Sequence, residues 1–291
     1  MTRRHPIMAI TGSSGSGTTS VTRTIEQIFR REGLSAAAIE GDSFHRYDRV
    51  EMQQAIEDAE AAGNHRFCHF SPEANLLLEL EELFATYGAS GTGRMRRYFH
   101  DDDTAAAHGA DAGTFGDWTD LPAGTDLLYY EGLHGGYVDG SIDIARHADL
   151  LIGVVPIINL EWIQKMHRDR AYRGHSHEEI IATILRRMPD YIEHICPQFS
   201  RTDVNFQRVP NVDTSNPFIA RYIPTLEEST LIIRFRDPHG IDFSYLLAML
   251  HDSSMSRPNT IVVPGGKMEL AMQLIFTPMI LRLMEYRRRA E

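Results

Sequence analysis

Residues 12–19 read GSSGSGTT, directly after the apolar run of residues 6–11 and directly before a segment with Val21, Ile25, Ile28 and Phe29 at helical spacing. Strand, glycine loop, helix is the setting in which G-x-x-x-x-G-T-T cradles phosphate, the backbone amides of Gly12, Ser13, Ser14, Gly15, Ser16, Gly17, Thr18 and Ser20 facing the anion in front of a helix N-terminus. The hydroxyl of Thr19 falls where such a loop places its magnesium ligand. Thr18 stands where a lysine normally bridges the terminal phosphates. The chain has only two lysines, Lys165 and Lys267, so either a cation reaches in from elsewhere or the loop binds nucleotide without acting on it. The bland alternative is a plain strand-to-helix turn.

Phosphoryl transfer also needs cations for the developing charge, a metal on the phosphate oxygens and a base for the acceptor hydroxyl. At ~100° per residue, Lys165, Arg168, Asp169 and Arg173 share an arc of about 140° on one helix, with Leu160, Ile163 and Ala171 opposite. Charge pattern alone would make this a solvated face. The apolar strand at 149–155 that feeds the helix places it instead at a carboxyl sheet edge, where ligands bind. Glu131 ends the apolar run of residues 127–130, as the acid of a Walker B strand does, and could hold magnesium or be a surface acid. Asp42 opens DSFHRYDR, in which His45, Arg46 and Arg49 form a cationic set suited to a small anionic substrate; Asp42 could be the base or a helix N-cap. Asp169 is the third acid, with an i,i+4 pair to Arg173 as its structural alternative.

The elements that must position these residues alternate. Strands are expected at 6–11, 35–40, 126–131, 149–155, 204–210, 231–235 and 260–263, and helices at 18–32, 51–62, from Pro72 to Tyr87, 160–173, 177–192 and 268–288. This alternation implies an α/β protein with a largely parallel sheet covered by helices. Residues 88–124, rich in Gly, Asp, Thr and Ala with a short strand at 96–100, read as a surface excursion near the mouth of the site. No repeat or linker divides the 291 residues, so a single domain over 1–291 is expected.

A formal charge of -11 disfavours a general nucleic-acid or anionic-membrane binder, so an anionic ligand must be held by a local basic cluster. The longest apolar stretch, nine residues from Leu150, is far short of the ~20 a membrane helix needs, and the start lacks the apolar core of a secretion signal. A cytoplasmic protein is expected. Cys68 and Cys196 form no C-x-x-C pair and read as small buried or partly buried side chains. His175, His177 and Glu178 match no zinc motif. Position 20 is Ser20, so the Rossmann fingerprint fails, and the guanine reader N-K-x-D is absent from the sequence.

Taken together, the motifs resemble those of the phosphoribulokinase family in its bacterial form. KMHRDRAYRGHSHE, residues 165–178, agrees at every fixed position with K-x-x-R-D-x-x-x-R-G-x-[ST]-x-E, and GSSGSGTT, EGDSFHR, YFHDD, YEGLHG and DTSNPF follow in family order. The resemblance implies a P-loop NTPase fold of the nucleoside-monophosphate-kinase-like kind, with a mixed, largely parallel sheet flanked by helices. It implies a Calvin-cycle kinase that moves the ATP γ-phosphoryl to the C1 hydroxyl of D-ribulose 5-phosphate with Mg2+. Asp42 would be the base, Glu131 and Thr19 would attend the metal, and Lys165 with Arg168 would stabilise the transferring group. Asp169 would be essential, and His45, Arg49 and Arg173 would hold the sugar phosphate. The bacterial branch also carries Thr in its loop, is a homo-octamer and is activated by NADH and inhibited by AMP, with Arg31, Arg234 and Arg257 as candidate effector residues. A uridine or pantothenate kinase relative and a catalytically silent nucleotide sensor are the rival readings.

Overall fold

Strand β1 (Ile7–Thr11) is apolar because both its faces are covered: Met8 and Ile10 enter one core cluster, Ile7 and Ala9 the other. The same two-sided burial governs β3 (Leu127–Gly132), where Leu127 and Tyr129 join the first cluster and Leu128 and Tyr130 the second. With β2 (Ala36–Glu40), β4 (Leu150–Pro156) and β5 (Val204–Pro210), these strands form a parallel array in the order β2-β3-β1-β4-β5. Three antiparallel strands extend it, β6 (Ser229–Phe235) beside β5, then β8 (Thr260–Pro264), then β7 (Ser254–Arg257) at the edge, giving eight strands in all. The structure is a computed structural model; it describes residues 4–13, 16–172, 174 and 176–290, without the side chains of Thr19, Pro156 and Tyr172.

Helix α1 (Thr18–Glu32) lays Val21, Ile25, Ile28 and Phe29 on one sheet face, and α6 (Met268–Ala290) adds Met272, Ile275, Phe276 and Ile280 beside them. Helix α3 (Leu77–Ser90) covers the opposite face with Leu80, Leu83, Phe84 and Tyr87. Helix α2 (Arg49–Ala61) is largely exposed, with Met52 turned inward, and is held at its start by an Asp48/Glu51 capping box. Helices α4 (Ile158–Tyr172) and α5 (His177–Asp190) pack through Met166, Ile180 and Ile184, and a Ser176/Glu179 capping box starts α5. Among the described residues no helix is long and apolar enough to cross a membrane.

Several expectations change. Pro72 opens a 3-10 turn, Pro72–Ala74, and α3 begins only at Leu77. Residues 96–100 are not a strand; Arg94–Met95 pairs with Thr119–Asp120, and beyond it only Tyr98 bridges Phe115. The reason is Arg96, which turns inward to donate to the Ser43 and His45 carbonyls and lies 3.6 Å over the Phe115 ring, a demand that regular pairing would not meet. Helix Phe243–Met249, edge strand β7 and the small pair Val138–Asp139 with Ile142–Asp143 come in addition. Cys68 is buried, but Cys196 is exposed, sitting in the turn Cys196–Ser200. Ala171, placed on the apolar side of α4, is exposed.

Candidate active site

Strands β3 and β4 flank β1 on opposite sides, so the chain leaving β1 enters the crevice between their carboxyl ends. Gly12 donates its N–H to the Gly132 carbonyl at 3.2 Å, tying the glycine loop to the end of β3. A Cβ at Gly12 would lie 2.8 Å from Ser16 Oγ and 2.9 Å from Thr18 Cγ2, so the loop folds back on itself only with glycine there. Gly17 enters α1 at φ 99°, a left-handed conformation that glycine adopts without strain. Ser16 Oγ is buried without a hydrogen-bond partner among the described residues, a polar group available to a ligand in the loop. Ser14, Gly15 and Arg173 lie outside the described residues, as do His175 and the side chain of Thr19; Ser20 is on the exposed first turn of α1.

Asp42 lies in the turn Gly41–Phe44 after β2, and the N-cap of that turn is Glu40, so Asp42 is not a cap. Glu131 lies on β3 in register with Glu40 of β2. The two segments touch: a Cβ on Gly41 would fall 2.7 Å from the Gly132 Cα and 2.7 Å from the Tyr130 hydroxyl. Asp42 and Glu131 face one cavity of about 340 Å³ together with Gly12, Thr18, Glu40, His45, His69, His100, Arg168 and Arg187. Burial pushes the Glu131 carboxyl up, the charges of Asp42 and Glu40 add to it, and a hydrogen bond from the Thr18 hydroxyl opposes it. For Asp42 burial also acts upward, but the His45 hydrogen bond and the charges of His45, His100 and His69 prevail and hold the carboxyl well below the usual carboxylate range. The Glu131 carboxylate, facing the loop in this cavity, is a hard-oxygen donor that suits a divalent cation.

The charged side of α4 is not solvated. Lys165 and Asp169 are 5% and 2% exposed, and Asp169 accepts from Lys165 Nζ through one oxygen and from Arg168 Nε at 3.0 Å through the other. The acid thus pairs back to Lys165 rather than standing in solvent. Lys165 opens into a second cavity of about 840 Å³, with Arg49, Asp169, Arg186 and Arg187, which adjoins the first through their shared residues His69, His100 and Arg187. Among the described residues, the guanidinium groups that share a cavity with the phosphate loop are those of Arg168 and Arg187. Glu161, one turn before Lys165, is also buried; burial pushes its carboxyl up to about 7 against the opposing pull of Ser13 and of Arg187, Lys165 and Arg168.

Burial and then the charge of Arg187 pull the Lys165 ammonium down to about 8, with Asp169 opposing. Its charge is therefore lost as pH rises through about 8. In kcat/KM, which reports the free enzyme, we expect a basic limb near that pH, removed in Lys165→Arg because a guanidinium stays charged; a limb unchanged in that variant would assign it to another group. The folded pKa is lowered, so from about 8 to the unfolded ~10.4 the unfolded chain binds the extra proton and this group makes stability rise with pH.

His45 is buried with both ring nitrogens engaged, Nε2 at 3.2 Å from Asp42 Oδ1 and Nδ1 at 2.8 Å from Asn75 Oδ1. Arg49 lines the larger cavity and donates to the His100 carbonyl at 3.0 Å. Arg46 turns away to the Glu73 and Asn75 carbonyls. Arg31 bonds Thr277 of α6 on one side of the sheet. Arg234 and Arg257 share a register row through Thr260 on the other side, since their neighbours Ile233 and Ile261 point into the α1–α6 core. The structure does not gather these three arginines within one chain.

Sequence reasoning missed Arg187, Arg186, His69 and Asn75. Arg187 had a signal: it follows Ile180 and Ile184 on the buried stripe of α5, where an arginine has no packing reason to be. It lies 5.3 Å over the Phe70 ring and borders both cavities.

A glycine loop between β1 and α1, an acid on the neighbouring parallel strand and cations on the helix after β4 define a P-loop kinase. A sequence profile described as the Phosphoribulokinase / Uridine kinase family matches residues 7–215. The chromosomal phosphoribulokinase of Cupriavidus necator is 65% identical over 290 residues, covering 100% of this chain and 99% of the relative. The phosphoribulokinase of Nitrobacter vulgaris is 61% identical over 290 residues, covering 100% of both. The solved structure of phosphoribulokinase from Rhodobacter spheroides superposes with a TM-score of 0.91 at 55% identity, covering 98% of this chain and 99% of that one. The chain belongs to the phosphoribulokinase / uridine kinase family.

Proposed function

We infer that the chain transfers the γ-phosphoryl of ATP to the C1 hydroxyl of D-ribulose 5-phosphate, giving ribulose 1,5-bisphosphate in the Calvin cycle, a reading supported by full-length relatives named phosphoribulokinase. The observation that carries it in this chain is the adjacency of the two cavities, one reaching the phosphate loop and Asp42 and the other with a cationic lining, with His69, His100 and Arg187 bordering both. Nucleotide phosphates would lie along Gly12 to Ser20, and the sugar phosphate along Arg49, Arg186 and Arg187, with Arg173 joining them by family resemblance. An excess of guanidinium groups is what a phosphate dianion needs in an otherwise acidic chain.

Asp42 would take the proton of the acceptor hydroxyl, and Arg168, Lys165 and Arg187 would offset the charge on the transferring group. Asp169 would keep Lys165 and Arg168 in place. Mg2+ would be held by Glu131 and Thr19, and supplies neutralisation of the phosphate oxygens when bound. The homo-octameric state and NADH activation, with Arg31, Arg234 and Arg257 at the effector site, rest on the family resemblance. An effector site built from residues on both sides of the sheet would have to join more than one subunit.

The test is ADP release with Mg-ATP and ribulose 5-phosphate, uridine, pantothenate or ribose 5-phosphate, each with and without NADH. Turnover confined to ribulose 5-phosphate and raised by NADH is expected. ATP binding with silence on every acceptor would make the chain a nucleotide sensor instead.

A further inference from the structure

Asn75 takes part in no expected motif, yet it is 3% exposed directly behind the carboxylate assigned as base. It follows the turn Pro72–Ala74 and pairs with His45 through an isolated antiparallel bridge. Both hydrogens of its amide nitrogen are used by backbone carbonyls, His69 O at 3.0 Å and Ser71 O at 2.8 Å. A carbonyl only accepts, so this end of the side chain must be the NH2 group, and Oδ1 is the atom that faces His45 Nδ1 at 2.8 Å. Oδ1 only accepts as well, so Nδ1 of His45 carries a hydrogen.

That leaves Nε2, 3.2 Å from Asp42 Oδ1. A bare imidazole nitrogen and an ionised carboxylate are both acceptors, and they do not hold this distance as a hydrogen bond unless a proton lies between them. The other neighbours of the pair are His69, edge-on to His45 at 4.9 Å, His100 at 3.8 Å from Asp42 Oδ2, buried His134, and the carboxylates of Glu40 and Glu131. None of these is shown to bond either His45 nitrogen.

We propose that Asn75 is a positioning residue for the transfer: by fixing the Nδ1–H form of His45 it aims Nε2 at Asp42, so that imidazole and carboxylate hold one proton jointly. The pair then presents Asp42 Oδ2 to the acceptor. When the substrate O–H bond breaks and its oxygen attacks the γ-phosphorus, the bond from that phosphorus to the ADP oxygen breaks and ADP leaves, and the proton goes to Oδ2 while Nε2–H keeps its bond to Oδ1. This rests on Asp42 being the base, and it assigns His45 to the carboxylate rather than to the sugar phosphate.

The experiment combines long-range 1H–15N spectra of the histidine rings with steady-state kinetics of Asn75→Leu, Asn75→Asp and Asp42→Asn. In the unaltered protein His45 Nδ1 should carry a hydrogen, with the Nε2 resonance displaced from the bare-nitrogen position by the proton it shares with Asp42. Asn75→Leu, which keeps bulk and loses the acceptor, should release that preference and lower kcat about tenfold to a hundredfold with KM for both substrates little changed. Asn75→Asp, which restores an acceptor, should recover at least part of kcat and the Nδ1–H signal. A neutral His45 protonated on Nε2 in the unaltered protein would overturn the proposal, and that spectrum decides even if Asn75→Leu does not fold. So would unchanged kcat in a folded Asn75→Leu. Full turnover in Asp42→Asn would instead remove the base assignment, leaving the tautomer to be read independently.

Discussion

Replacing Asp42 with Asn is expected to lower kcat by about 10²–10⁴-fold, the range for removing a positioned general base, with ATP binding unchanged. The substitution is informative because it is nearly isosteric and an amide oxygen can still meet His45 Nε2. The turn Gly41–Phe44 should therefore keep its shape while the proton acceptor is lost. Since only the transition state uses that acceptor, kcat and kcat/KM should fall together. Single-turnover ADP release beside nucleotide titration measures both quantities. Near-normal turnover would hand the proton to another group, with Asp169 of the adjoining cavity the first to examine.

Asp169→Asn should have the second largest effect, for a different reason. Its carboxylate pairs with two cations, Arg168 and the 5% exposed Lys165. Breaking a buried pair by removing one partner costs about 3–5 kcal/mol when the remaining charge stays buried. Here Lys165 has an escape, because burial has already drawn it to about 8 and the loss of Asp169 would draw it lower, so that near neutral pH it sheds its proton. The stability loss should then fall at or below the low end of that range, while turnover collapses because a neutral amine no longer offsets phosphoryl charge. Thermal unfolding and turnover read the two effects separately. Adding Lys165→Met should restore stability and not activity; a single Asp169→Asn variant with full activity would make the pair a bystander.

Much of this was legible in the chain because two-sided burial writes itself as unbroken apolar runs. Residues 7–10 and 127–130 could only be interior strands, and the glycine loop between β1 and α1 fixed the ligand edge of the sheet. What escaped was structure without a periodic signature. Edge strand β7, Ser-Met-Ser-Arg, is exposed at three of its four residues, so no alternation marks it. The inward turn of Arg96 broke an expected strand through contacts with Phe115 and the carbonyls of Ser43 and His45, all remote in sequence or set by the fold. The charge pattern of α4 gave the residues but not their burial, since periodicity cannot tell a solvated charged face from one sunk beneath α5. Asn75 was invisible because its importance lies in what its amide touches.

The contact between Gly41 and Gly132 couples the two acids at the heart of the site. One glycine carries the turn of Asp42 and the other directly follows Glu131, and neither backbone can yield without moving its partner. The spacing between Asp42 and Glu131 is thereby a single quantity rather than two adjustable ones. An attempt to retune the protein for an acceptor of different length would find little freedom there. The room for variation lies in the arginine-lined cavity between α2 and α5, where side chains can be exchanged without disturbing the distance that sets the chemistry.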